Sequence, residues 1–435
     1  MRIALIGSGA REHIIAEKLA TDDNELFSIM PKKNPAIAML SKKYWICDTN
    51  SQEAVVDCLK NEDIDVGFAS PDATLAAGIS DALEKIGILI ASPTKAAARI
   101  EWDKEFMHSL MTRHKLAGSP KYHLVTDMDE AKSALKELEE VAIKPLGLTG
   151  GKGVRVTGDH LHSEQDAIAY LNELLRKDGK ALIEEKIEGE EFSLQAFCDG
   201  SRIATMPPVQ DHKRAFENDL GANTGGMGSY SAGKLLPFIE EKDIEQATKI
   251  MQSVVHAMKK DGTPFRGVLY GQFMVCKDSV RLIEFNARFG DPEAMNVLAL
   301  LQNDLSDIFL SITDEKLEIP QFKDAFTVVK YIVPEGYPDK AIADSPVNVD
   351  IEKIQHNDGK IYFASVYEKD GKVYTTGSRA FATLGVSEQL EEAEMIAEEC
   401  CKYVTGKVWH RKDIGTKELI EKKMDHIKKI RRNIG

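Results

Sequence analysis

The chain has 435 residues, 43% of them hydrophobic and 29% charged, with a formal net charge of −14 at pH 7. That length exceeds what one hydrophobic core serves, so about three domains are expected, and the acidic balance argues against broad binding to nucleic acid or anionic membrane while leaving room for phosphorylated metabolites. No run approaches the ~20 apolar residues of a membrane span, the first residues lack a signal-peptide core, and the six cysteines form no C-x-x-C pair, so a cytoplasmic protein with free buried thiols is expected.

In chain order, Ile3–Ile6 reads as a buried strand and Arg11–Ala20 as a helix, with Ile14, Ile15, Lys18 and Leu19 at helical spacing. Ser51 is positioned to cap a helix over Ser51–Lys60, and Asp65–Ala69 and Ile88–Ala91 read as strands around a helical Thr74–Lys85. This alternation predicts an α/β N-terminal domain, residues 1–102, built on a doubly wound parallel sheet. A second region begins near Glu101, with a helix over Lys104–Lys115 that stops before Gly118 and Pro120. Strands follow at Tyr122–Val125, Val141–Lys144 and Val154–Thr157, and Ser163-x-x-Asp166 reads as a helix cap. Ala181–Glu185, Phe192–Cys198 and Ile203–Met206 complete what reads as one antiparallel α+β unit. A long amphipathic helix, Glu240–Lys259, then leads to β-rich runs at Val268–Cys276 and Val280–Ala287. The third region, from about Thr327, is small and β-rich, with Asp358-Gly359 and Asp370-Gly371 as hairpin turns flanking a strand at Ile361–Tyr367. It has no dense cluster of catalytic residue types and reads as structural closure of a cleft. The basic Lys422–Arg432 reads as a solvated helical face.

The densest chemistry lies in Glu284-Phe285-Asn286-Ala287-Arg288. Strand side chains alternate faces, so Glu284, Asn286 and Arg288 project to one side. A carboxylate and an amide oxygen side by side are hard ligands suited to Mg²⁺, and Gln272 in the preceding strand offers a third oxygen. The planar fork of Arg288 suits a carboxylate or a phosphate. Within Lys144–Val154, Gly147, Gly150, Gly151 and Gly153 let backbone N–H groups approach a polyphosphate, while Lys144 and Lys152 add charge. Only three residues separate Gly147 from Gly151-Lys152, so this is not a Walker loop; a phosphate-covering hairpin between strands fits better. Gly7-Ser8-Gly9-Ala10-Arg11-Glu12-His13 lies between a strand and a helix, where an anion is favoured. Glu12 occupies the third glycine position of a dinucleotide fingerprint, so a single phosphate is the expectation there. Gln210-Asp211-His212-Lys213-Arg214 and Asn223-Thr224-Gly225-Gly226-Met227-Gly228-Ser229-Tyr230 are polar runs that either line a cleft or form solvated loops. His212 is a general-base candidate by residue type alone.

Together these segments resemble, nearly end to end, the phosphoribosylamine–glycine ligase (glycinamide ribonucleotide synthetase) family of the ATP-grasp superfamily. Gln210–Arg214, Asn223–Tyr230, the run Glu284–Glu293 and Arg411-Lys412-Asp413-Ile414-Gly415 carry the resemblance. It implies an α+β ATP-grasp core over 103–326 with a small lid at about 122–191, followed by a small β-rich C-terminal domain at 327–435. It implies ATP-dependent ligation of glycine to 5-phosphoribosylamine through glycyl phosphate, with Mg²⁺ or Mn²⁺, in a monomer that binds neither nucleic acid nor membrane. ATP would meet Lys104, Lys144, Gly150, Gly151, Lys152 and Gly153 at its phosphates, Glu184 and the Ile187 backbone at adenine, and Glu191 at ribose. Gln272, Glu284 and Asn286 would hold metal, and Arg288 the reacting carboxyl or phosphoryl group. Gly7, Gly9, Arg11, Asp211, Lys213, Arg214, Asn223, Thr224, Gly225, Gly226 and Asp291 would bind the other substrates. The chain departs from the family pattern at Lys32-Lys33-Asn34, at Ser70–Leu75 and in the Gly147–Gly153 loop, so contacts to the phosphoribosyl group are the least transferable. Another ATP-grasp carboxylate ligase and a non-catalytic nucleotide-binding regulator are the competing readings. The Gln210–Arg214 and Glu284–Glu293 runs speak against the first, and the intact lysine, metal and arginine positions against the second.

Overall fold

A computed structural model describes residues 1–147 and 153–432. The N-terminal strands form a five-stranded parallel sheet in the order Lys43–Ile46, Glu25–Met30, Arg2–Ile6, Val66–Ala69, Leu89–Ile90. Its central strand Arg2–Ile6 is buried from Ile3 to Ile6, as a run of apolar residues covered on both faces requires. The strand order reverses between Arg2–Ile6 and Val66–Ala69, which opens a crevice at their C-terminal ends, where Gly7–Gly9 and Ser70–Pro71 lie. Ser51 caps the helix Gln52–Leu59 by accepting from Ala54 N–H, as expected. The expected helix over Thr74–Lys85 is instead two, Asp72–Ala77 and Ile79–Glu84, because Gly78 adopts φ 82°, a left-handed conformation that ends the first.

The second region holds two antiparallel sheets rather than one unit. Tyr122–Val125, Ala181–Glu185, Val141–Lys144 and Arg155–Val156 form the lid sheet. Helices Met128–Leu138 and Glu164–Asp178 cover it around a core of its own that includes Ile143, Tyr170, Leu171 and Ile183. Ser163 caps the second helix by accepting from Asp166 N–H. The other sheet runs Ile203–Thr205, Glu190–Asp199, Arg266–Val275, Val280–Asn286. The cleft lies between the lid and this sheet.

The strand that opens the third region, Phe326–Pro334, pairs with Gly228–Ala232, so the third region shares a sheet with the second. Asp370-Gly371 is the expected hairpin turn, joining Val366–Lys369 to Lys372–Thr375. Asp358-Gly359 is not one. Its N–H groups donate back to Gln355 O and Ile354 O and close the helix Ile351–His356. The strand expected at Ile361–Tyr367 divides at Ala364-Ser365, with Lys360–Phe363 in one sheet and Val366–Lys369 in another. No helix among the described residues is long and apolar enough to cross a membrane.

Candidate active site

The site is assembled on the paired strands Arg266–Val275 and Val280–Asn286. Their register sets Gln272 opposite Glu284 and Tyr270 opposite Asn286. The Glu284 carboxylate makes no hydrogen bond or ion pair with a described residue, whereas Asn286 Oδ1 accepts from Arg288 Nη2 at 3.1 Å. Gln272 is buried; its Oε1 accepts from Tyr270 Oη and its Nε2 donates to Glu191 Oε2 at 2.9 Å. Arg288 is also held 2.9 Å from Glu101 Oε1, while Glu101 Oε2 accepts from Ala287 N–H at 2.8 Å. Burial raises the Glu101 carboxyl above its usual range against the opposing pull of Arg288. Strand alternation sets Glu284 and Asn286 on one face, but the strand ends at Asn286; Arg288, expected on the same strand, joins them from the bend that follows, and Glu101 fixes its direction.

Two cavities adjoin here. The larger, about 450 Å³, lies between the lid and the second sheet. Val154, Val156, Ile187, Met274 and Ile283 give it an apolar part; Lys144, Glu184, Glu191, Lys213 and Arg214 give it charge. Such a mixture suits a nucleotide, which presents a flat apolar base and a polyanion. Lys144 Nζ lies 2.6 Å from Glu184 Oε2, and Glu184 Oε1 lies 3.0 Å from His108 Nε2. His108 stacks on Tyr122 with ring centroids 4.1 Å apart. Sequence gave no sign of His108, which meets Glu184 only through tertiary packing. Although burial opposes it, Lys144 and His108 hold the Glu184 carboxyl below its usual range. Arg214 bonds Asp159 of the lid at 3.0 Å, across the cavity mouth. His212 is buried beside this cavity with both ring nitrogens unpartnered, and burial holds it down to about 3.

The smaller cavity, about 320 Å³, is rich in charge: Arg11, Lys104, Lys213, Arg288 and Arg379 face Asp72, Glu101, Asp211, Glu284, Asp291 and Glu293. Asp211, Lys213, Asn223 and Glu284 line both cavities and form the passage between them. Burial, reinforced by Glu293, pushes the Asp211 carboxyl well above its usual range, and its Oδ1 has no partner. Lys104 Nζ donates to Gly147 O at 3.1 Å, and burial lowers its ammonium below the ordinary value.

Arg379 corrects the reading of the third region as closure alone. It donates to Gly225 O, Gly226 O and Asp291 O at 2.7, 2.9 and 3.0 Å, and pairs with Asp291 Oδ2 at 3.0 Å. A lone arginine after a hairpin carries no sequence signal for this role. Sequence did not point to Glu293 and Tyr270 either; Tyr270 Oη lies 2.8 Å from Glu293 Oε1, and its single proton serves either that carboxylate or Gln272 Oε1.

The remaining candidates divide. Arg11, Asn223, Thr224, Gly225 and Asp291 line the smaller cavity, but Gly7, Gly9, Gly226, Gly153 and Gln272 line neither. Gly9 N–H donates to Glu12 Oε2 at 2.5 Å, so the chain's own carboxylate occupies the place expected for a phosphate. Glu12 also accepts from Ser70 Oγ and from Arg11 Nε. Gly226, at φ 109°, lets the loop approach Asp211, whose Oδ1 would lie 2.5 Å from an added Cβ. Thr224 Oγ1 ties the same loop to Lys213 O at 2.9 Å. Gly150, Gly151 and Lys152 lie outside the described residues; the strands that flank their loop pair antiparallel, Ala142 with Val156 and Ile143 with Arg155.

The residues present fit a divalent ion. Among the described residues no group of three or more His, Cys, Asp or Glu side chains is placed to hold a metal. The candidate set has one free carboxylate, Glu284 at the passage, and two amides, Asn286 on the wall of the smaller cavity and Gln272 buried behind it. That suits a hard ion taking its remaining ligands from phosphate and water, though Gln272 must release Tyr270 to join.

Comparisons with known proteins agree on one family. The phosphoribosylglycinamide synthetase N domain matches residues 1–101, the ATP-grasp (A) domain residues 102–294 and the C domain residues 327–417. The chain is 47% identical to a phosphoribosylamine–glycine ligase of Methanosarcina barkeri, covering 99% of this chain and 100% of that one. It is 44% identical to the enzyme of that name from Pyrococcus furiosus, over 99% and 98%. The crystal structure of phosphoribosylamine–glycine ligase from Thermotoga maritima has a TM-score of 0.82 at 26% identity, covering 95% of this chain and all of that one. A biotin carboxylase–nucleotide complex from Campylobacter jejuni, 13% identical with a TM-score of 0.72 over 98% of each chain, shares the fold.

Proposed function

The chain belongs to the phosphoribosylglycinamide synthetase family, and from that premise we propose that it joins glycine to 5-phosphoribosylamine through glycyl phosphate. ADP, phosphate and glycinamide ribonucleotide are the products, within purine biosynthesis. The observation that carries this reading is the pair of cavities meeting at Asp211, Lys213, Asn223 and Glu284. A phosphoryl group passing from one bound molecule to another needs such a passage.

The larger cavity takes ATP, with Ile187 and the apolar wall beside the base, Glu191 toward the ribose and Lys144 at the phosphates. Lys104 and Lys213, which line the smaller cavity, face the transferring group. A glycine carboxylate oxygen attacks the γ-phosphorus, and the bond from that phosphorus to the β,γ-bridging oxygen breaks. Arg288, fixed by Glu101 and Asn286, offers its planar donors to the charge that develops on the acyl and phosphoryl oxygens. The amine nitrogen of 5-phosphoribosylamine then attacks the acyl carbon, phosphate leaves with the former carboxylate oxygen, and the nitrogen gives up a proton. Burial makes this economy of charge effective, because fixed groups in a water-poor cleft need no reorganisation.

Glu284 and Asn286, with Gln272, would hold Mg²⁺ or Mn²⁺. Such an ion supplies neutralisation of phosphate charge. The accompanying reading is three domains at 1–102, 103–326 and 327–435, a lid at about 122–191, and a cytoplasmic monomer with small-molecule partners and no nucleic acid. The test is an ADP-release assay with glycine and freshly made phosphoribosylamine, each omitted in turn; release must require both for full turnover.

A further inference from the structure

The helix Lys417–Arg432, whose basic residues read from sequence as a solvated face, packs along the wall of the larger cavity. Leu419, Ile420 and Ile427 are buried beneath it. At its far end Arg431 pairs with Asp243 Oδ1 at 2.7 Å, next to the start of the helix Glu241–Lys260. The helix also carries one cation into the cavity lining, Lys423.

Lys423 Nζ lies 3.2 Å from Glu190 Oε2 and 2.9 Å from Asp219 Oδ2. The other oxygen of each acid is also paired, Glu190 Oε1 with His426 Nδ1 at 2.6 Å and Asp219 Oδ1 with Arg411 Nη2 at 2.8 Å. Both carboxylates line the cavity. Glu190 adjoins Glu191 on the strand Glu190–Asp199, and Asp219 sits at the tip between Arg214–Phe216 and Leu220–Asn223, whose ends return Arg214 and Asn223 to the cavity. Among the described residues Lys423 is the one cation that bridges these two acids. Without Lys423, Glu190 would keep only His426 and Asp219 only Arg411, which Asp413 shares, and the excess negative charge on this wall would repel a nucleotide polyanion.

We propose that Lys423 is a positioning residue of the nucleotide site: it compensates the charge of Glu190 and Asp219, so that the cavity wall accepts a polyanion. The inference rests on reading this cavity as the ATP site. Lys423 is then part of the binding machinery, contributed by the C-terminal helix.

The test is calorimetric titration of Mg²⁺–ATP into the full-length protein without glycine or amine, alongside KM values in full turnover. Lys423→Met should weaken ATP binding roughly tenfold, the scale of one lost charged hydrogen-bond partner, with the KM for glycine within about twofold. Lys423→Arg should restore binding, as should adding Glu190→Gln and Asp219→Asn to Lys423→Met. Ile312→Ala, in the buried core of the helix Leu305–Thr313 and lining neither cavity, should lower thermal stability and leave ATP affinity unchanged. Should Lys423→Met not fold, Lys423→Arg and the Glu190→Gln/Asp219→Asn pair remain, each expected to bind within about threefold of wild type. Wild-type protein that binds no ATP removes the underlying nucleotide reading. Wild type that binds it, with Lys423→Met binding equally well, overturns this inference alone. So does an equal loss in Ile312→Ala, or a tenfold loss in Lys423→Arg or in the acid-side pair.

Discussion

Lys144 and Glu184, which the sequence resemblance sends to opposite ends of ATP, form an ion pair of 2.6 Å on neighbouring lid strands. Both are buried, and Glu184 is steadied from behind by His108. Glu184 therefore sets where the Lys144 ammonium points, whatever contact it makes with the base. Removing one partner of a buried pair leaves the other uncompensated. Lys144→Ala and Glu184→Ala should each weaken ATP binding, and the double variant should fall short of their sum by more than ~1 kcal/mol. Strictly additive effects in a double-mutant cycle would show that the pair acts independently.

Arg379 should matter to the substrates that occupy the smaller cavity and not to ATP. Its guanidinium serves three carbonyls and one carboxylate, a geometry one ammonium cannot reproduce. Arg379→Lys is expected to reduce kcat/KM for glycine or 5-phosphoribosylamine by roughly tenfold or more, about the effect of losing a charged hydrogen bond. Unchanged kinetics for both substrates would return the third region to a purely structural part.

At the metal position, Glu284→Ala should remove most turnover while circular dichroism and melting temperature stay near wild type, since this carboxylate makes no internal bond to lose. Near wild-type activity at saturating Mg²⁺ would falsify the assignment of Glu284 as a ligand.

The histidines' share of stability should peak near pH 6.5. His13 and His212 fold neutral, held down to about 4 and about 3 by burial, against an ordinary imidazole value of 6.5. The unfolded chain binds more protons below that value, so stability falls as pH drops through 6.5 toward the folded values. His410 behaves oppositely: burial works against its charge, but Cys401 and Glu398 outweigh it and raise the imidazole to about 9. Its contribution is complete below 6.5 and is lost as pH rises through 9. Thermal melts across pH 5–9 should show both limbs, and His410→Asn should flatten the alkaline one. A melting temperature that does not fall above pH 7 in wild type contradicts the His410 account.

The parts of the site visible in sequence were those written in local periodicity. Glu284 and Asn286 share a face because a strand repeats every two residues, and Ser51 and Ser163 cap helices because a short acceptor precedes each helical run; Arg288 lies just past the strand's end. The parallel N-terminal sheet followed from alternating apolar runs. Residues joined only by folding were invisible: Arg379 reaches Asp291 across 88 positions, His108 reaches Glu184 across 76, and Lys423 reaches Glu190 from a helix that looked solvated. The Gly7–Gly9 motif misled for a related reason. A strand–loop–helix entry suits an anion, but the sequence does not say that Glu12 supplies it.

Arg288 bears most on the chemistry. Arg288→Lys should lower turnover roughly 10²-fold or more, the scale for one preorganised charge-stabilising group, with little change in ATP affinity. An equal loss of affinity and turnover would make it a binding residue only.

The central claim is that glycine is activated as an acyl phosphate before the amine attacks. Glycine labelled with ¹⁸O in its carboxylate, turned over with ATP and 5-phosphoribosylamine, should deliver one labelled oxygen to each phosphate released, because the carboxylate oxygen that bonds to phosphorus leaves with it. Phosphate formed in full turnover without that label would contradict the mechanism.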